Sequence, residues 1–538
     1  MSSITQSLPP RVLASKPRRD YVAWGVGVFS IVLSVVAFIV TYRHNAVLTY
    51  NDAISHMEIA RRVANGTNDG LAQLGAVWLP LPHVLMLPFI WIDGLYYSGI
   101  AGSIVSMATF VVATVLVYKL VAQLLRNRSL VASRWGGVAG AAVFALNINV
   151  LYMQSTPMTE LPLFATLLGA VYFLVKWADD QRLGYMIASA VSGMLATLTR
   201  YESWPVMVVL FLVAVYITLR RSEPLSKRQR WLKLQDVAIT YGMAVFFGIA
   251  CWLLWNLVLF GDALNFRSGE YAKPSLWLTS NEPSIGNFGL SAKTFGYAFL
   301  ENVPWILAAV ASIGLVAFLA MERLKGRAMA VLSLLVVVPF LVCAIYTGER
   351  PLHVEQIYGD LYNTRFGLIM VLPVAVLVGY LVGVIGRFKS VAVVLAVATV
   401  LGAGALSATA AQAGDIVTFR DPASALASSG DQEDTAVEFK KLYDGGTVLM
   451  ESFGNERFGF RAVPSQAHVY EGTNKQDRWK RSLADPSGMD VRWVIMRCIQ
   501  GSPDKVCAAF IEHSEVFADY QLVFERPGKS AYRIYRHK

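Results

Sequence analysis

Residues 21–63 read YVAWGVGVFSIVLSVVAFIVTYRHNAVLTYNDAISHMEIARRV. The run 21–42 is almost uninterrupted apolar sequence, and a helix crossing hydrocarbon needs about 20 such residues. It is too long for a removable leader and lacks a small-residue cleavage site, so it predicts an anchoring span. Directly after it come Asp52, His56, Glu58, Arg61 and Arg62. Charged and titratable side chains crowded at the mouth of a span are what the rest of the chain has to explain.

Of 538 residues, 55% are hydrophobic and 16% charged, whereas a soluble domain carries about a quarter charged residues. Eleven runs predict spans: 21–42, 98–118, 136–153, 160–175, 184–199, 204–219, 236–260, 298–320, 328–347, 366–386 and 390–411. The net charge of +10 does not point to nucleic acid, because the basic residues collect between spans. With the tail 1–20 cytoplasmic, the inner segments hold twenty-one Lys and Arg and the outer loops before residue 412 hold nine. That bias predicts a cytoplasmic N-terminus and, with an odd number of spans, an extracytoplasmic C-terminal part.

The C-terminal part changes character. The Ala/Ser-rich stretch 412–430 reads as a linker, and 431–538 as a small α/β domain. Within it, DQEDTAVEFKKLYDGGTVLMES predicts a helix, a Gly-Gly stop and a strand. DVRWVIMRC predicts a second strand, DKVCAAFIEH a short helix, and YQLVFERPGKSAYRIYR a hairpin. Cys498 and Cys507 are close enough in sequence to suggest a disulfide outside the cytoplasm. Cys251 and Cys343 lie in apolar runs and are expected in the core. The fold class expected is mainly α: a polytopic bundle over 21–411, with outer loops 43–83 and 261–297 and the α/β domain appended.

Ionisable residues are nearly absent from span middles, where each costs about 2.5–3.5 kcal/mol on insertion scales. The polar clusters sit instead at predicted outer span ends and outer loops: NDAISHMEIARR, GAVWLPLPH, QSTPMTE, LTRYESW, FGDALNFRSGEYA and GERPLHVEQIYGDLYNTRFG. Six segments distant in sequence at one depth have the layout of a single site. Residues 52–64 predict an amphipathic helix along the interface. On it Asp52 and His56, one turn apart, could deprotonate a hydroxyl or hold a divalent cation; alternatively Asp52 caps the helix and His56 packs. Trp78 reads as an interfacial anchor, with His83 beside it. Arg200 must meet Glu202 or an anionic ligand, and Glu160 sits where a helix dipole favours an acid. Arg365, after Arg350, offers a fork of donors matched to phosphate, or to a lipid headgroup.

In this order and on this side, YNDAISHMEIARRV, GAVWLPLPH, STPMTELPL, LTRYESW, FGDALNF and YNTRFGLIMVLP resemble the GT-C superfamily of polytopic glycosyltransferases. Family-39-type enzymes, relatives of protein O-mannosyltransferases and of the lipid A aminoarabinose transferase, are the nearest in pattern, over about residues 20–385. The resemblance implies inverting transfer of a sugar from a polyprenyl-phosphate donor, on the outer face of the cytoplasmic membrane, to an acceptor glycan, lipid or protein. Asp52 occupies the place of the family's general base. Arg365, with Arg200 and Arg350 as second choices, would hold the donor phosphate. His56, Glu58, His83, Glu160 and Glu202 would support the substrates. Many members show two acids in the first outer loop, whereas here the second place falls to His56 or Glu58. That departure leaves a divalent cation (Mg or Mn on Asp52 and His56) open. A lipid or saccharide transporter or flippase would place ionisable groups near the midplane with internal repeats, and neither feature is visible. A non-catalytic envelope assembly protein would explain the tail but not the clustered Asp, His and Arg.

Overall fold

The structure is a computed structural model that describes residues 20–538 except 67–69, 76, 224, 274–281, 387, 429, 473–476 and 529–530, and omits the side chains of 425 and 428. Nearly all of the N-terminal tail therefore lies outside the described residues. Among those residues, nine helices are long and apolar enough to cross a membrane, and three shorter apolar helices accompany them: Leu81–Ile90, Leu130–Ala145 and Leu183–Thr197. All eleven predicted runs are helical, but two are interrupted. Run 136–153 breaks after Ala145, where the Asn147 side chain caps the short helix Ile148–Met153 by accepting from Val150 N at 3.0 Å. Run 298–320 breaks at Val303–Pro304, since proline has no N–H to continue a helix but suits the start of one.

The bundle includes α1 (Tyr21–Arg43), α2 (Asn51–Asn65), α3 (Leu130–Ala145), α4 (Thr364–Ile385) and α5 (Val417–Ser428), of which α2, α4 and α5 bear on the site together with Glu160–Asp180 and the turn before Ser203–Arg221. α1 packs on Ile100–Leu124 and turns most of its valines outward. α4 is the central helix, buried along nearly its whole length. It approaches α3 closely through glycines: a Cβ at Gly379 would lie 2.6 Å from the Gly136 carbonyl oxygen, and one at Gly140 2.8 Å from that of Ala375. Small residues let backbones meet where no water drives helices together. Cys251 and Cys343 are exposed on their helices rather than in the core, a correction to the expectation.

α2 forms where the spacing predicts it, with Ala53, Met57 and Ala60 fully buried. Its polar residues are not turned to water. His56, Glu58, Arg61 and Arg62 are buried too: the C-terminal domain covers Glu58 and Arg62, while Arg61 is held by the Ile90 carbonyl and Asp93, and His56 by His83 and Trp78. The Arg62 guanidinium stands 3.6 Å from the Tyr470 ring centroid, Phe460 packs on Tyr96 at 4.9 Å, and Arg457 donates to the Thr49 carbonyl. Within the stretch expected as a linker, Val417–Ser428 is helical (α5), and Asp421 is buried against α4.

The C-terminal domain is a five-stranded sheet of order β2-β1-β3-β5-β4, built from Thr447–Leu449 (β1), His468–Val469 (β2), Val491–Arg497 (β3), Tyr520–Arg526 (β4) and Tyr532–His537 (β5). β1, β2 and β3 run parallel, while β5 pairs antiparallel with both β3 and β4, the latter as the hairpin. Helices cover both faces, so β3 is a nearly continuous apolar strand, as a central strand buried on both sides must be. A disulfide joins Cys498 at the end of β3 to Cys507 on the helix Lys505–Glu512.

Two predictions arise from this packing. Gly379→Leu should overpack the α3–α4 contact and cost about 1–3 kcal/mol or more, read as lost folded yield and a lower melting temperature in detergent. At the docking surface, burial pushes the Glu58 carboxyl up to about 7, with Arg62 only partly opposing it, and Glu451 likewise to about 7 through burial and the nearby Glu471. Folding thus favours their neutral forms, so the stability they contribute is complete below 4.5 and is lost as pH rises through about 7. The melting temperature should fall across that window, and Glu58→Gln should flatten the fall.

Candidate active site

Four segments bring their polar ends together. Asp52 lies in the first turn of α2 and Glu160 in the first turn of Glu160–Asp180. Arg200 and Glu202 occupy the short turn before Ser203–Arg221, and Arg365 the opening 3-10 turn of α4. They form one chain of alternating charge. Arg365 Nη2 donates to Asp52 Oδ2 across 313 residues of sequence, and its Nε faces Glu160 Oε1 at 3.4 Å. The same Glu160 oxygen accepts from Arg200 Nη1 at 2.9 Å. Arg200 then grips Glu202 as a fork, Nη2 to Oε1 at 2.9 Å and Nε to Oε2 at 3.3 Å. Glu202 is held down at about 2: burial alone would raise it, but the Arg200 and Arg350 charges more than compensate.

Burial differs along this chain, and the difference picks out one residue. Side-chain exposure is 4% for Glu160 and Glu202, 9% for Arg365 and 14% for Arg200, but 35% for Asp52. Asp52 is therefore the carboxylate that a second molecule can reach. Beneath it, a crevice is lined by Glu160, Arg200, Glu202 and Arg365, with Phe164 and Phe366 among its apolar walls. Glu160 Oε2 has no hydrogen-bond partner.

The remaining predicted residues fall in three places. His56 and His83 meet each other, Nδ1 to Nε2 at 2.9 Å, beside the Trp78 ring. Burial, then the Arg200 and Arg365 charges, hold His56 down at about 3, so it is a neutral imidazole at neutral pH. Glu58 is not brought to Asp52: it pairs with Arg62 at 3.2 Å against the C-terminal domain. Arg350 stands over the Tyr201 ring at 5.5 Å and, among the described residues, makes no ion pair. As for a cation, no group of three or more His, Cys, Asp or Glu among the described residues could hold a metal ion. Asp52 already faces a guanidinium that would repel one.

Several partners of this chain escaped the sequence reading. Tyr50 lies under the Arg365 guanidinium at 4.8 Å and donates to the Thr418 carbonyl at 2.7 Å. Thr159 accepts from Arg200 Nη1 at 2.9 Å, and Asp421 binds Thr364 beside Arg365. The only signal for Asp421 is a single acid opening an Ala/Ser-rich stretch, which composition reads as linker.

No protein-family model matches the sequence, and a search of curated proteins finds no match. Solved structures do match. ArnT from Cupriavidus metallidurans bound to undecaprenyl phosphate aligns with a TM-score of 0.56 at 13% identity, over 95% of this chain and 98% of that one. Its apo form gives 0.53 at 12%. The Archaeoglobus fulgidus oligosaccharyltransferase in complex with Zn and sulfate gives 0.50 at 12%, over 95% of this chain and 73% of that one. Both proteins are GT-C glycosyltransferases, and this chain has their polytopic membrane fold over nearly its whole length.

Proposed function

We propose that the protein is an inverting glycosyltransferase that moves a sugar from a polyprenyl-phosphate donor to an acceptor hydroxyl. The observation that carries this reading is the meeting of Asp52 and Arg365 at the open end of the buried charge chain. A fold neighbour bound to undecaprenyl phosphate supports a lipid-linked donor. The isoprenoid would lie in the bilayer and its phosphate at the span ends, so no charge enters hydrocarbon. The cytoplasmic membrane is the proposed location, with α2 and the C-terminal domain on its outer face.

Chemically, the donor phosphate takes Arg365 as its partner and releases Asp52. Asp52 then accepts the acceptor's hydroxyl proton as that oxygen bonds to the anomeric carbon from the face opposite the phosphate. The carbon–oxygen bond to phosphate breaks, its electron pair leaves with the lipid phosphate, and configuration inverts. Preorganised guanidinium groups stabilise that developing negative charge without reorganising at the moment of reaction. Arg350, with no carboxylate of its own, is placed by charge to assist. No step is routed through a metal ion. The acceptor is a glycan, a lipid or a protein.

Asp52→Asn should leave a folded, membrane-inserted protein whose transfer of radiolabelled sugar from undecaprenyl-phosphate donors falls about 10²–10⁴-fold. Undiminished transfer would end this reading, as would thiol labelling that placed an Asp52→Cys variant on the cytoplasmic side. Arg365→Gln should weaken binding of undecaprenyl phosphate itself, measured by its stabilisation of the purified protein.

A further inference from the structure

Arg365 follows a sharp turn. Asn363 adopts a left-handed backbone, φ 54°, a conformation that persists only where its surroundings hold it. The next residue is held at every polar group. Asp421 Oδ2 accepts from the Thr364 N–H at 2.9 Å and from its hydroxyl at 3.0 Å, while the Asn302 amide donates to the Thr364 carbonyl at 2.8 Å. The peptides flanking Thr364 are thus pinned by side chains from two other elements. Asp421 is 6% exposed and its charge also acts on the Arg365 guanidinium. Its own segment is fixed in turn: Thr418 receives Tyr50 on its carbonyl, and Thr418 N and Oγ1 donate to Asn149 Oδ1 at 3.1 and 3.0 Å.

We propose that Asp421 is a positioning residue for Arg365: by clamping Thr364 it aims the guanidinium at Asp52 and the donor phosphate. The start of α5, which leads to the C-terminal domain, thereby belongs to the site's machinery rather than to a tether. A charged acceptor suits this task because one oxygen serving two donors binds better as a carboxylate than as an amide. The placement of Arg365 stands on geometry alone; its consequence for phosphate binding rests on the function proposed above.

The test uses the full chain in lipid nanodiscs free of undecaprenyl phosphate. Arginine modification by phenylglyoxal is read at Arg365 and Arg200 by peptide mass spectrometry, and undecaprenyl phosphate affinity is measured alongside. Asp421→Ala should speed modification of Arg365 about tenfold or more while Arg200 stays unchanged, and Asp421→Asn only a few-fold. Undecaprenyl phosphate affinity should drop about tenfold in Asp421→Ala. Unchanged Arg365 modification overturns the proposal, and so does an equal rise at Arg200, which would mean general loosening. A selective rise at Arg365 with unchanged lipid affinity upholds the clamp and overturns Arg365 as the phosphate's partner. Should Asp421→Ala fail to fold, Thr364→Val, which removes one of the two donors, is read by the same criteria.

Discussion

A guanidinium cannot give up its proton, so burying one obliges counter-charges to follow it. Arg365, 9% exposed at the start of the central helix, imposes that demand here. Asp52 and Glu160 answer it from two other segments. Glu160 is itself buried and needs Arg200, and Arg200 is completed by Glu202. Each member is costly alone and tolerable only beside its neighbours. The arrangement of α2, the helix Glu160–Asp180 and the turn at Arg200 follows from keeping this chain intact.

The same constraint orders the chemistry proposed for the site. Because the inner members are enclosed, their charges do not need to reorganise when a ligand arrives. Because Asp52 ends the chain and is one-third exposed, it is the member whose partner can be exchanged. The C-terminal domain contributes from behind: it roofs the far face of α2, where Glu58 and Arg62 lie, and so fixes the helix that carries Asp52. α5 contributes from beside it through Asp421. Helix, domain and connecting segment all bear on the one ion pair.

Much of this was open to inspection in the residues. The apolar runs, the helix at 51–65, four of the five strands of the small domain (all but the two-residue β2) and Glu202 as one of the two partners offered for Arg200 are each written in local pattern. Other features are not. Cys251 and Cys343 look like core residues because lipid and protein interior are equally apolar, so composition cannot tell an outward face from an inward one. Glu58 seemed a partner for Asp52, yet residues six apart on a helix point about 120° away from each other. The amphipathic sequence of α2 suggested a polar face turned to water, but Glu58 and Arg62 on it are buried under the C-terminal domain.

By itself the sequence determined which segments leave water for hydrocarbon, and that the polar residues gather where those segments end. Solvent preference acts residue by residue and therefore shows in composition and period. Only the tertiary structure decided which charge neutralises which, that Asp421 reaches Thr364, and that Asp52 alone of the buried chain stays open. Pairing in a low-dielectric interior depends on ångström separations between segments hundreds of residues apart, and no local pattern encodes those.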